Sequence, residues 1–229
     1  MPKNYIGIFD VMGPAMIGPS SSHTSGAASI AWMARQVFSA RPVKVTYTLY
    51  GSFAETYKGH GTDRALIGGM LGYRSNNARI RNAYEDAKNE GLTVDFFIDK
   101  KTEVSHPNTV DILMESEDGK SLLIRGESVG GGRVRIVRMN NIDVDFTGEF
   151  CTMIVSHLNK SGTIAYITTC LAEQKVNIAN LRSFREDDGK TAITVVETEG
   201  FIPDDVVEKV TQYETVKDVD MIELYGGMY

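Results

Sequence analysis

The chain has 229 residues, of which 42% are hydrophobic and 24% are charged, and this profile is typical of a globular protein with room for two modest domains. Its formal charge of −6 argues against a general nucleic-acid binder, which needs a basic face. The N-terminus lacks the apolar core of a signal peptide and no apolar run reaches membrane-spanning length, so we expect a cytoplasmic protein without a membrane partner.

A segment rich in hydroxyl groups comes just before the first helical pattern. Residues 20–24 read Ser-Ser-Ser-His-Thr, and apolar residues then recur at helical spacing from 27 to 38. Ser22 or Thr24 is the expected N-cap. The free N–H groups of a helix start, preceded by hydroxyls, suit a carboxylate or phosphate. A plain capping turn explains the same residues equally well.

No serine–histidine dyad is predicted in this segment. Ser22 and His23 are neighbours in a turn, and neighbouring side chains rarely point at one another, whereas nucleophilic catalysis needs hydrogen-bond contact.

Two further loops carry a histidine. An alternating strand from 43 to 50 is followed by the segment Gly59–Asp63, in which glycines flank His60 and Thr62 is the expected cap of a helix over 64–71. The third loop contains His106 and Asn108 and leads into a strand over 110–114. We hypothesise that the three loops meet at the open end of one sheet.

The rest of this half alternates between helix, strand and turn. A helix is predicted over 77–90 with Gly91 as its C-terminal cap, and a buried strand over 93–98. Asp-Gly at 118–119 and Asn-Asn at 140–141 mark hairpins. The glycines at 130–132 form either a turn or a group of backbone N–H donors for an anion.

The last eighty residues predict a separate small domain. Strands over 150–156, 176–184, 191–198 and 219–225 alternate with helices over 163–173 and from 203 in the order βαββαβ, which is a ferredoxin-like sandwich. The whole chain is therefore predicted to be α+β, an α/β sandwich in which a mixed-sheet domain over 1–147 precedes a ferredoxin-like domain over 148–229.

The sequence predicts no metal site in this chain. Cys151 and Cys170 are too far apart for a metal knuckle, and two cysteines cannot hold a complete cysteine-ligated iron–sulfur cluster, so both are expected to be core residues. The histidines of the three loops lack helical ligand spacing. His157 is interpreted as a structural hydrogen-bonding residue.

The C-terminal pattern resembles an ACT domain. The resemblance rests on the turn from Asn159 to Gly162 and on the strand that begins at Val176-Asn177-Ile178. The resemblance implies effector binding or dimerisation through Asn159, Gly162, Asn177 and Asn180. Pure dimerisation without a ligand remains an equal alternative.

The N-terminal motifs resemble the β subunit of bacterial iron–sulfur-dependent L-serine dehydratases. The carriers are residues 18–24, 59–63, 106–109 and 128–132. The same module is similar to the allosteric substrate-binding domain of some D-3-phosphoglycerate dehydrogenases. The resemblance implies a heteromer in which a cysteine-bearing α subunit holds a 4Fe-4S cluster, this chain alone is inactive, and L-serine is the substrate.

That resemblance also gives the site residues their expected roles. His23 and His60 are the expected catalytic residues. The expected substrate- or effector-binding residues are Ser20, Ser21, Ser22, Thr24, Thr62, Asp63, His106, Asn108, Gly130 and Gly131. The pocket is either catalytic or allosteric. A free-standing amino-acid sensor and a dimerising scaffold are the competing functions.

Overall fold

The computed structural model describes residues 18–186 and 189–222. The chain folds into two compact units, with the boundary between Val137 and Arg138. The domain boundary at residue 147, which rests on the sequence pattern, stays a prediction. The fold class is confirmed, because helices accompany a mixed sheet and a second, four-stranded sheet.

The first sheet has six strands in the order β2-β1-β3-β4-β5-β6. β1 runs parallel to β2 and antiparallel to β3, and β3 is antiparallel to β4, so the sheet is mixed as predicted. The strands are β1 (Pro42–Tyr50), β2 (Thr93–Asp99), β3 (Thr109–Ser116), β4 (Ser121–Gly130), β5 (Arg133–Met139) and β6 (Ile142–Phe146).

Four α-helices accompany the strands of the first unit. They are α1 (Ala27–Val37), α2 (Gly51–Thr56), α3 (Thr62–Met70) and α4 (Ala83–Asn89). A π-helical turn, Ser21–Gly26, leads into α1, and a 3₁₀ turn, Ala78–Asn82, leads into α4. The helix predicted over 77–90 is therefore two elements of different winding.

Helices α1 and α3 approach each other closely. A Cβ atom built on Gly69 of α3 would lie 2.2 Å from the carbonyl oxygen of Ala28 in α1. Only a residue without a side chain fits at this crossing. Because α1 follows the His23 turn and α3 follows the His60 loop, this crossing sets how near the two loops lie.

Two predicted helix caps are wrong. Ser20 is the N-cap of the turn before α1, and its hydroxyl accepts from the backbone N–H of His23, because the extra π-helical turn moves the helix start towards the N-terminus. Gly61 precedes α3 in the left-handed conformation with φ of 69°, and Thr62 lies inside the helix. A glycine takes that conformation without strain.

The predicted burial of β2 is also wrong. β2 is an edge strand of the sheet, and among the described strands it pairs only with β1. Phe97 is 59% exposed, whereas Phe96 on the other face stacks on Tyr47 with ring centroids 5.0 Å apart.

The second unit has the predicted ferredoxin-like βαββαβ order. Its elements are β7 (Cys151–Leu158), α5 (Thr163–Glu173), β8 (Ile178–Arg185), β9 (Thr191–Thr198), α6 (Asp204–Thr211) and β10 (Val216–Ile222). The antiparallel sheet has the order β10-β7-β9-β8. The predicted closing strand over 219–225 begins earlier, and residues 223–225 lie outside the described residues.

Apolar side chains of the sheet and both helices form the core of this unit. Cys151 and Cys170 are 2% and 3% exposed and belong to this cluster, as predicted, together with Met153, Ile167 and Val196.

Candidate functional site

His23 is held by hydroxyl groups on both sides of its ring. Its Nε2 lies 2.9 Å from Ser52 Oγ. Its Nδ1 lies 3.3 Å from Ser20 Oγ and 3.2 Å from Ser22 Oγ. The expectation that Ser22 and His23 do not touch is therefore wrong, because the π-helical turn brings both side chains next to the hydroxyl of the N-cap residue, Ser20. The ring orientation of His23 is fixed by this network.

His60 lies directly beside His23. The two ring centroids are 4.9 Å apart. Thr24, which is 1% exposed, donates its hydroxyl hydrogen to the carbonyl oxygen of His60 at 3.0 Å. Thr24 thus joins the first loop to the second, and its hydroxyl hydrogen is not free to bind a ligand.

The surroundings favour the neutral form of His23. Burial lowers the pKa of His23 below its ordinary value, and the nearby His60 lowers it further, while a contact with the Ser52 main chain offsets part of the effect. Two adjacent imidazoles repel each other when both are protonated, so the nearness of His60 disfavours the protonated form of His23. A neutral imidazole can accept a proton at pH 7.

The His106 loop packs behind this pair. The backbone N–H of Ser52 donates to the carbonyl oxygen of Pro107 at 2.7 Å, which places the third loop against the residue that holds His23. The His106 ring accepts from the backbone N–H of Asn108 through Nδ1. The Asn108 amide donates to the carbonyl oxygen of Ser128 at the end of β4. The third histidine thus shapes its own loop.

Buried polar atoms without a hydrogen-bond partner concentrate in these loops. In the described part of the first unit they include Ser25 Oγ, His60 Nδ1, Thr62 Oγ1, Asn108 Oδ1 and Ser128 Oγ. A buried donor or acceptor left without a partner is costly, and such groups in native proteins call for an explanation. Their concentration around His23 and His60 is typical of a site that binds a polar ligand.

Asp63 has a supporting role in the structure. It is 7% exposed, and its carboxylate accepts from the backbone N–H of Arg64 and from the Tyr84 hydroxyl at 2.8 and 2.9 Å. These bonds tie the start of α3 to α4. Ser21 is half-buried in the π-helical turn.

Gly130 is the last residue of β4 and Gly131 lies in the turn between β4 and β5, with φ of 100° and 62°. The turn interpretation is therefore confirmed, and their role in anion binding stays a prediction.

The predicted ACT residues lie at three places in the second unit. The Asn159 amide donates to the carbonyl oxygen of Gly189, and the Asn177 amide donates to Glu199. Gly162 precedes α5 with φ of 93°. Asn180 lies opposite Glu197 in the β8–β9 register. The Asn159 and Asn177 side chains therefore support loops. Effector binding by the four predicted residues stays a prediction.

His157 is the structural residue that the sequence predicts. It is 2% exposed, with Nε2 2.8 Å from Thr194 Oγ1 and Nδ1 2.8 Å from the carbonyl oxygen of Leu158.

Sequence reasoning missed Ser52 and Ser128. Ser52 comes just after the end of β1 and follows Gly51, whose φ is 50°. Ser128 is fully buried, and a Cβ atom on Gly26 would lie 2.0 Å from its hydroxyl oxygen. The available signal was a hydroxyl residue near the end of a strand, next to a glycine at Ser52 and two residues before Gly130 at Ser128.

Metal ligands do not cluster in the described residues. No group of three or more histidine, cysteine or acidic side chains there is placed to hold a metal ion. Within the same residues, no helix is long and apolar enough to cross a membrane.

Comparison with known proteins decides the family. The model of the serine dehydratase beta chain family matches residues 7–93. A probable L-serine dehydratase beta chain of Bacillus subtilis is 38% identical over 218 residues, which covers 95% of this chain and 98% of that protein. This chain belongs to the serine dehydratase beta chain family. Another relative, the L-serine dehydratase beta chain of Peptoniphilus asaccharolyticus, is 42% identical over 175 residues, covering 76% of this chain and 79% of that protein.

A more distant similarity extends to a different enzyme. The D-3-phosphoglycerate dehydrogenase of Methanocaldococcus jannaschii is 28% identical over 163 residues, which covers 70% of this chain and 30% of that protein. Part of this serine dehydratase beta chain is therefore similar to a segment within a much longer protein.

Proposed function

We propose that this chain is the beta subunit of a heteromeric L-serine dehydratase and that it supplies His23 and His60 to the site where L-serine becomes pyruvate and ammonia. The observation that carries the proposal is the His23–His60 pair, with rings 4.9 Å apart among loops that contain unpartnered buried polar atoms. Family membership supports the reaction, and the site geometry supports the roles of the residues.

The reaction makes two demands on a protein. The Cα proton of serine must be removed by a base, and the β-hydroxyl must leave together with its electron pair. The resulting aminoacrylate tautomerises to an imine, and water hydrolyses the imine to pyruvate and ammonia. The base must lie within hydrogen-bond reach of the Cα proton when the substrate is bound.

His60 is the better placed base of the pair. Its Nδ1 is buried and without a partner, whereas both nitrogens of His23 are in contact with hydroxyl groups. His60 therefore takes the Cα proton. The pKa of His23 is lowered by burial, and the His23 ring lies against the His60 ring and helps to fix its position.

The leaving hydroxyl requires help that this chain's described residues do not provide. A 4Fe-4S cluster supplies Lewis-acid assistance to a departing hydroxyl when an α subunit holds it. Cys151 and Cys170 do not fit as its ligands, since both are buried in the core of the second unit. The partner in this proposal is therefore a cysteine-bearing α subunit, and the isolated beta chain is inactive.

The second unit regulates the assembly in this proposal. Self-association through its sheet and binding of an amino-acid effector are the functions that its ferredoxin-like fold supports. Sedimentation of the full chain with and without L-serine tests both functions. Self-association predicts a dimer, and effector binding predicts that L-serine changes the fraction of dimer.

The test of the proposed function uses anaerobic coexpression of this chain with the α subunit and a pyruvate assay on the complex and on each chain alone. We expect activity in the complex only. His60→Ala should lower kcat by about a hundredfold or more, the usual contribution of a general base, and added imidazole should restore part of it. Imidazole should not accelerate the unsubstituted complex, which serves as the control.

Two outcomes would reject parts of the proposal. A His60→Ala complex with kcat near that of the unsubstituted enzyme would remove His60 from the chemistry. A chain that never forms an active complex, yet is stabilised against heat by L-serine, would be an amino-acid sensor.

A further inference from the structure

A pocket of about 600 Å³ opens beside His60, and positively charged side chains dominate its wall. Lys58, Arg64 and Arg81 line it together with His60 and one acidic residue, Asp63. With the histidine neutral, these side chains give a local charge of about +2 in a chain whose formal charge is −6. The sign of the charge is thus reversed beside the proposed base.

No carboxylate among the described residues neutralises the three cations. Among the described residues, none of the three forms an ion pair with a carboxylate within 4.0 Å, and Lys58 lies over the ring of Tyr57 at 5.7 Å. The Asp63 carboxylate is occupied by the Tyr84 hydroxyl and by a backbone N–H. Clefts lined by one sign of charge concentrate ligands of the opposite sign.

Three of the four hydroxyl groups expected to hold the substrate carboxylate have other partners. Ser20 and Ser22 lie against the Nδ1 atom of His23, and the Thr24 hydroxyl donates to a carbonyl oxygen. In L-serine the Cα atom that loses its proton is bonded directly to the carboxylate carbon. The group that holds the carboxylate must therefore lie close to the base, and the cationic pocket includes the base in its wall.

We propose that Lys58, Arg64 and Arg81 form the carboxylate-binding wall of the serine site, a role that rests on the proposed function. Arginine pairs with planar carboxylates through two parallel hydrogen bonds, and lysine adds a point charge. The wall orients the substrate so that its Cα proton faces His60. Arg64 follows the loop of the base directly, and Arg81 lies on the 3₁₀ turn before α4.

The test uses two fragments of serine as inhibitors of the active complex. One is 3-hydroxypropionate, which keeps the carboxylate and hydroxyl, and the other is ethanolamine, which keeps the amine and hydroxyl. Arg64→Gln and Arg81→Gln should each raise the Ki of 3-hydroxypropionate and the KM of L-serine about tenfold, the effect of losing one charge-assisted hydrogen bond. The Ki of ethanolamine should change less than twofold.

Lys88→Gln is the matched control, because Lys88 is an exposed cation of α4 outside the pocket. It should leave the KM and both inhibition constants unchanged. Pocket variants that behave like this control would overturn the proposal, as would equal losses for both inhibitors. Weaker association with the α subunit at unchanged KM would instead assign these cations to subunit docking and would also overturn it.

The proposal can fail separately from the proposed function. An unsubstituted complex that makes no pyruvate would reject the dehydratase function. In that case 3-hydroxypropionate should still raise the melting temperature of the complex, and Arg64→Gln should require about ten times more of it for the same shift. An equal shift for both proteins would reject the carboxylate wall itself.

Discussion

The crossing of α1 and α3 at Gly69 makes a sharp prediction about stability. Alanine at this position would place a Cβ atom 2.2 Å from the backbone oxygen of Ala28 and 2.9 Å from the Ala31 side chain. Alanine gains about 1 kcal/mol over glycine in a helix, whereas forcing the two helices apart costs about 3 kcal/mol. We expect Gly69→Ala to lower the free energy of unfolding by about 2 kcal/mol.

The neighbouring Gly68 provides the control. A Cβ atom there would lie 2.9 Å from Ile80 Cγ1, which belongs to a side chain that can rotate away. Gly68→Ala should therefore change the stability by less than about 1 kcal/mol, since the helix propensity offsets a mild clash. The two variants add the same methyl group to adjacent residues. The difference between their free energies of unfolding therefore measures the cost of the contact with the backbone oxygen of Ala28.

Trp32, the single tryptophan, makes the measurement specific to this crossing. It lies on α1 and is 7% exposed, so its fluorescence reports the unfolding of the first unit. Urea titration of Gly69→Ala should show a midpoint about 1 M lower, given typical urea slopes of about 2 kcal/mol per M. Equal midpoints for Gly69→Ala and the unsubstituted chain, or a larger loss for Gly68→Ala, would refute the reasoning.

Three further predictions concern single side chains. Ser52→Ala removes the 2.9 Å contact with His23, so kcat of the complex should fall about tenfold with little change in melting temperature; an unchanged kcat would contradict this. Burial raises the pKa of Glu197, so its stabilising contribution is present below its ordinary pKa and is lost as the pH rises through the folded-state value. Glu197→Gln should flatten this pH dependence in urea titrations and stabilise the chain by about 1 kcal/mol at pH 8. Asp111→Ala leaves Arg125 without its two bonds of 2.6 and 2.7 Å and should cost about 3 kcal/mol, which calorimetry can check against Asp143→Ala at an exposed pair.

The same reasoning about His23 predicts how the stability of the chain depends on pH below 6.5. Its pKa is lowered in the folded chain, so the unfolded chain binds more protons near pH 6.5, and stability falls as the pH drops from there through the folded-state pKa. Urea titrations of the chain below pH 6.5 should show this loss of stability, and a free energy of unfolding that rises as the pH drops there would contradict it.

Sequence periodicity predicted those elements whose pattern is decided locally. The helix over 163–173 and the strand over 191–198 have the predicted bounds, because their apolar spacing agrees with their packing in a small sandwich. The burial of β2 was not predictable in this way. An apolar run reads alike at the centre and at the edge of a sheet, and strand order depends on contacts between distant residues.

In the candidate site, too, local motifs were predictable from the sequence, whereas contacts between distant residues were not. Three histidine loops were visible as motifs, but the π-helical turn that puts Ser20 and Ser22 on one ring nitrogen of His23 has no local signal. Ser52 meets His23 across 29 residues of sequence, and only the tertiary fold brings them together. No sequence motif marks Arg64 or Arg81 as a site residue, and only the fold places both on one pocket wall.

The burial of both thiols has a practical consequence for the biochemistry of this subunit. Cys151 and Cys170 are free, shielded by apolar side chains, and inaccessible to alkylating agents in the folded chain. The beta chain can therefore be prepared in air and mixed afterwards with an anaerobically prepared partner. Any oxygen lability of the reconstituted enzyme should then follow the partner's history of handling and be independent of how long the beta chain was stored.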